Sequence, residues 1–220
     1  MIQPDKIIRS NRKNLSLYID IFGRLIVRAP KHCRDERIFA FIREQESFIL
    51  RQKAKMQGAG MRLPSENLDG YALTLLGKSC VITLTDENLV RYDGENNRLF
   101  VPKTNAKLRL TKWLKENAER ILAQATAKAA VEMGLTYKSI SVTSARTRWG
   151  SCSGKDAIHY SFRLIYAPKA VVEYVVYHEL AHVHHKNHSV HFWREVEKYC
   201  PAWRTHRAWL KQNSYLMEVL

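Results

Sequence analysis

The residues His178-Glu179-Leu180-Ala181-His182 form an HExxH sequence inside the apolar stretch VVEYVVYHELAHV. On a helix, residues i and i+4 share one face, so the two imidazoles converge on one ion. Zinc takes neutral imidazole nitrogen at about 2.0–2.1 Å and favours four ligands. Glu179 sits one residue on, turned off the ligand face and within reach of a water on the ion. The ion lowers the pKa of that water towards about 7, and Glu179 takes its proton as general base. The spacing therefore points to an enzyme, a metal-dependent hydrolase. Zinc is the first choice of ion, although imidazole also suits other divalent metals. A third ligand must come from further along. His188 lies six residues after His182, at the metzincin distance, but His185 stands where metzincins need glycine, so that family does not fit. Asn187 tolerates the left-handed conformation and is the candidate for the turn that brings His188 back. His184, His185, His191, Glu195 and Glu197 are the rivals for the third position.

A second set of residues carries charge. Arg146 and Arg148 precede Gly150-Ser151, Arg163 follows, and Arg9, Arg12 and Lys13 sit near the N-terminus. Guanidinium groups bind phosphate oxygens in bidentate fashion, and the stretch 149–151 has backbone N–H groups to offer an anion. These six are candidate substrate-binding residues for a phosphate-rich small molecule. Taken singly, each arginine is also an ordinary solvated side chain. A peptidase needs few such charges and instead offers a strand edge to an extended peptide. The net charge of +15 adds nucleic acid as a partner to consider. The charge is uneven: residues 1–60 carry +7, 61–137 carry +2 and 138–220 carry +6. Cys152, in the same loop as Arg148, reads as a plain thiol because the metal site already supplies a nucleophile. Trp149 reads as a core anchor before a base-stacking platform.

The elements that must position these groups follow from periodicity. Leu15, Leu17, Ile19 and Ile21 alternate with polar residues as a half-buried strand, Gly23 marks a turn, and Leu25–Val27 start the return. Ile38, Phe41, Ile42, Phe48 and Ile49 fall at helical spacing, giving one long helix from about Asp35 to Met56, closed by Gly58 and Gly60. Short strands fill residues 71–101. A long helix runs from about Thr104 to Met133 and ends at Gly134. Residues 139–143 and 157–165 read as strands around the loop TRWGSCSG, Pro168 opens the HExxH helix, and two more helices follow, with Trp193, Trp203 and Trp209 packing them together. The class is α+β: a β-rich N-terminal half with one long helix, followed by a zincin-like metallohydrolase region. The expected regions are 1–103 and 104–220. The absence of an apolar run of about 18 residues excludes a membrane helix. The N-terminus lacks a secretory pattern, and four scattered cysteines without a CxxC pair suit reduced thiols, so a cytoplasmic protein is expected.

Several of these segments together resemble a known family. TRWGSCS (147–153), RLIYAP (163–168), EYVVYHELAHVHHKNHSVHFW (173–193), the closing P-x-W…WL (201–210) and the opening I-x-R-S-x-R-K (7–13) are similar to the YgjP-like metal-dependent hydrolases, relatives of the SprT-type and M48-type zincin metallopeptidases. The resemblance spans nearly the whole chain and departs at Ser161, where the family often has Asn. It implies metal ligands at His178, His182 and His188, with Glu179 as general base. For the substrate it implies either a peptide or a nucleoside triphosphate such as UTP, hydrolysed to monophosphate and pyrophosphate. The same activated water serves both reactions.

Overall fold

A computed structural model of the chain describes residues 2–19, 24–58 and 68–218. The chain forms two compact units, residues 1–66 and 67–218. The strands over 72–102 thus group with the HExxH helix, whereas the sequence reading draws its boundary at 103/104.

The first unit holds β1 (Lys6–Ser10), β2 (Ser16–Ile19), β3 (Leu25–Pro30), α1 (Asp35–Glu44) and α2 (Glu46–Gly58). The strand order is β1-β3-β2, with β1 parallel and β2 antiparallel to β3. Ile19, Leu25, Val27 and Ala29 from the sheet and Ile38, Ile42 and Ile49 from the helices form its core. The single helix expected over 35–56 is two. The break is at Gln45, whose N–H is shared between the carbonyls of Phe41 and Ile42 while φ and ψ move to −99° and 11°. The apolar spacing continues across the break, because Ile49 still returns to the same core, so the periodicity gave no sign of it. The expected positions Ile21, Gly23 and Gly60 lie outside the described residues.

The second unit opens with β4 (Ala72–Leu75), β5 (Lys78–Thr85), β6 (Arg91–Asp93) and β7 (Arg98–Pro102), in the order β4-β5-β7-β6. The β4–β5 hairpin turns through Leu76 and Gly77, both at positive φ (50° and 83°), the arrangement that suits two-residue hairpin loops. Then α3 (Ala106–Met133) buries Leu110, Leu114, Ala118 and Leu122 at helical spacing and stops at Gly134, which is left-handed at φ 66°.

The second sheet of this unit holds β8 (Ser139–Thr143), β9 (Gly150–Cys152) and β10 (Ala157–Ser161), in the order β8-β10-β9. Two expectations are corrected here. Residues 150–152, read as loop, pair antiparallel with β10 and form an edge strand. The strand expected over 157–165 ends at Ser161, and Phe162–Tyr166 wind into a 3-10 turn whose side chains are all buried. Pro168 then precedes α4 (Lys169–His184), followed by α5 (Val190–Tyr199), α6 (Trp203–Gln212) and a 3-10 turn at Ser214–Glu218. The architecture is α+β, β-rich in its N-terminal half and helical in its C-terminal half. Among the described residues no helix is long and apolar enough to cross a membrane.

Candidate metal centre

Helix α4 is apolar almost all round, as a helix enclosed by other elements must be: Val171, Val172, Val175, Val176, Leu180 and Ala181 are buried. It packs against α3, β9, α5 and α6. That enclosure fixes the backbone that carries His178, Glu179 and His182. The chain leaves α4 at His185, which is extended (φ −122°, ψ 98°). Asn187 is not among the residues with positive φ, so the return is made without the expected left-handed turn. Ser189 caps α5 by accepting from the Phe192 N–H. His188, one residue before that cap, is thereby brought back over α4.

The ligand atoms of His178, His182 and His188 lie within 4.8 Å of one another, and the Nε2 atoms of His178 and His188 are 3.1 Å apart. Nitrogens sharing one tetrahedral ion at about 2.0–2.1 Å sit roughly 3.3 Å from each other. The Nδ1 of His182 is 2.9 Å from the His185 carbonyl oxygen, which fixes the ring and leaves its Nε2 for the cluster. The rings are also held in the neutral form that metals require. Burial pushes His178 down to about 3, with His182, His188 and Arg207 adding to the effect. Burial likewise lowers His182 against the pull of the His185 carbonyl, and it lowers His188 with help from Arg207. The donor set therefore fits one divalent cation.

Phe192 closes the centre from the first turn of α5, with its ring 4.5–4.8 Å from all three imidazoles. Trp193 stacks on His188 at 5.5 Å, Trp203 stacks on Trp193 at 4.1 Å, and Arg207 lies over Trp193. Tyr174 meets His178 edge-on, one turn earlier on α4. The rivals for the third ligand have other partners. Glu195 accepts from His184 at 3.2 Å and from His185 at 2.8 Å, Glu197 pairs with Arg204, and His191 stacks on His185.

Glu179 is 5% exposed, and burial pushes it up to about 8 against the opposing charge of Arg148. A cation on the three imidazoles would oppose that rise further. Its carboxylate packs directly on Gly150 of β9: a Cβ there would lie 2.6 Å from Oε1. Cys152 has its thiol pushed up, by burial first, which disfavours a thiolate nucleophile.

The other expected contacts have surroundings of their own in each unit. Arg148 lines a cavity of about 200 Å³ with Thr143, Ser151, His159 and Ser161. Arg163 is 1% exposed; its guanidinium donates to the Ser144 carbonyl at 3.1 Å and stacks on Phe162, so it faces the interior. Arg146 is exposed and engaged by other groups. Within the first unit, Arg9 is ion-paired to Asp35 and donates to the Cys33 carbonyl; Arg12 is half-buried, and Lys13 lines a cavity. Trp149 is half-buried. Sequence reasoning gave no role to Phe192, Arg207 or Tyr174, and weighed Glu195 as a ligand where it is the partner of His184 and His185. Tyr174 left a trace, since it precedes His178 by four residues and so shares its face.

No curated protein matches this chain. Among solved structures, the metallopeptidase zymogen of Pyrococcus abyssi abylysin is similar over 41% of this chain and 93% of its own, with 21% identity and a TM-score of 0.38. The family model of the YgjP-like metallopeptidase domain matches residues 13–213. A match over that span makes the chain a member of the YgjP-like family, and with it a metal-dependent hydrolase that uses a divalent ion.

Proposed function

We propose that the chain is a metallopeptidase in which His178, His182 and His188 hold one zinc ion and Glu179 is the general base. The observation that carries this reading is the packing of Gly150, on the edge strand β9, against the Glu179 carboxylate. An edge strand has one row of backbone groups without a ladder partner, and an extended peptide adds there as a further strand. Its scissile bond then runs beside Glu179. A divalent ion on the three imidazoles supplies Lewis acidity, activating a water and polarising the bond under attack. Glu179 takes the proton of the attacking water on its carboxylate and passes it to the leaving amine. Arg148 favours the ionised carboxylate. Phe192 and Trp193 exclude bulk water from one side, which strengthens each electrostatic contact within.

A second reading is hydrolysis of nucleoside triphosphates, UTP among them, to monophosphate and pyrophosphate. What favours it is the charge of two arginines felt there: Arg148 at Glu179, and Arg207, which lies over Trp193, at His178 and His188. The interior position of Arg163 and the Asp35 pairing of Arg9 weigh against it, because a triphosphate needs several free cations. Nucleic acid remains a partner on charge alone.

The deciding experiment gives zinc-loaded wild type and Glu179→Gln a mixture of unfolded peptides and, separately, a panel of nucleoside triphosphates. Peptide cleavage by wild type alone supports the first reading. Intact peptides with Glu179-dependent pyrophosphate release support the second. Equal turnover by both proteins in either assay removes Glu179 as the base.

A further inference from the structure

The first unit contains a cavity of about 820 Å³, lined by its own residues. Its floor is a single face of α1, formed by Arg37, Ala40, Phe41 and Glu44, which follow the i, i+3, i+4, i+7 spacing. The core of the unit takes a different face of the same helix, through Ile38 and Ile42. Phe41 and Ala40 are therefore half-buried apolar residues that look into the cavity. Leu15 and Pro30 add apolar wall from the chain segments flanking the sheet.

The charges are ordered along this floor. Arg34 occupies the boundary position before α1, its side chain making no capping bond, and Arg37 is one turn in. Lys13 joins them on the cavity lining. None of these three cations has an acidic partner among the described residues, whereas Arg9 nearby is held by Asp35 and the Cys33 carbonyl. Glu44 stands seven residues after Arg37, about 10 Å further along the helix axis. From end to end, the lining is cationic, then apolar, then carboxylate.

We propose that this cavity binds an organic phosphate of the nucleoside monophosphate class. The phosphoryl group takes charge-assisted bonds from Arg34 and Arg37, the guanidinium geometry suited to it. A flat ring lies over Phe41 between Leu15 and Pro30, and an amine or hydroxyl at the far end donates to Glu44. The volume falls within the roughly 300–1,000 Å³ of small-ligand sites. This site uses no residue of the metal centre.

The test uses the full chain with adenosine monophosphate as probe and with adenosine and inorganic phosphate as its two halves. Calorimetry is expected to show binding of the monophosphate and weaker binding of each half. In the double variant Arg34→Gln/Arg37→Gln, affinity falls roughly tenfold or more, the cost of losing charge-assisted contacts. Both arginines are exposed, so the variant keeps the wild-type melting temperature. A second measurement locates the ligand: Cys33 lines the cavity, while Cys80 and Cys200 are buried. The monophosphate slows alkylation of Cys33, read by peptide mass mapping. Absence of binding, full binding by the double variant, or unchanged Cys33 labelling at saturation would each overturn the proposal.

Discussion

Adding one methyl group at Gly150 tests whether Glu179 works only where β9 holds it. The Cβ of Gly150→Ala would fall 2.6 Å from Glu179 Oε1, 2.8 Å from Cγ and 2.9 Å from Cδ. Ordinary contact begins at 3.4 Å, so the carboxylate or the strand must move by about 0.8 Å. Glu179 has little room to yield, because it is 5% exposed and belongs to a helix enclosed by four elements. Overpacking of this kind costs about 1–3 kcal/mol of stability. The cost in rate is larger. A reacting group displaced by about 1 Å loses on the order of 100-fold, equivalent to about 2.7 kcal/mol of transition-state stabilisation. Because the three imidazoles lie elsewhere on α4 and before α5, bound zinc should remain stoichiometric. The assay is kcat/KM on whichever substrate the wild type turns over, with metal content and melting temperature measured on the same preparation. A Gly150→Ala protein that is loaded, folded and as active as wild type would refute the argument that this strand positions the base.

Two further outcomes follow from other contacts. Glu195→Ala frees His184 and His185, and with them the carbonyl that orients His182; zinc affinity measured by chelator competition should fall about 10–100-fold, with Glu195→Gln less affected. Leu114→Ala removes a fully buried side chain from the inner face of α3 and should cost about 2–5 kcal/mol in urea unfolding, leaving the zinc affinity of the folded protein unchanged.

The clustering of His178, His182 and His188 was legible because their spacing is local. Two histidines four residues apart on an apolar stretch become neighbours as soon as the stretch is helical, and His188 needed only a short return. The long helix α3 was equally plain, because its apolar stripe, its Ala-rich composition and its Gly134 stop all agree. What escaped reading depends on pairing between distant segments. The parallel pairs β1–β3 and β5–β7 are set by register across crossovers, for which a single sequence carries no local sign. Gly150–Cys152 has no alternation to report, and it becomes a strand only because β10 lies alongside. The arginines illustrate the same limit. Arg163 and Arg148 look alike in sequence, yet one is sealed against Phe162 and the Ser144 carbonyl while the other is exposed and acts on Glu179 only through its charge. Charge is visible in a sequence, whereas the direction of a side chain is decided by packing.

The three imidazoles do not share the same mechanical support. His178 and His182 belong to the enclosed helix α4, but His188 lies outside any helix and is kept in place by stacking on Trp193, which leans on Trp203 from α6. Local opening of a protein begins where buried contacts are fewest. A small rotation of α5 against α6 would therefore carry the third ligand away while the first two stay in register. With the proposed ligand set, exchange of an ion would then follow that local opening rather than global unfolding. On the proposed ligand set, the tryptophan pair would be the latch that sets how long a metal stays.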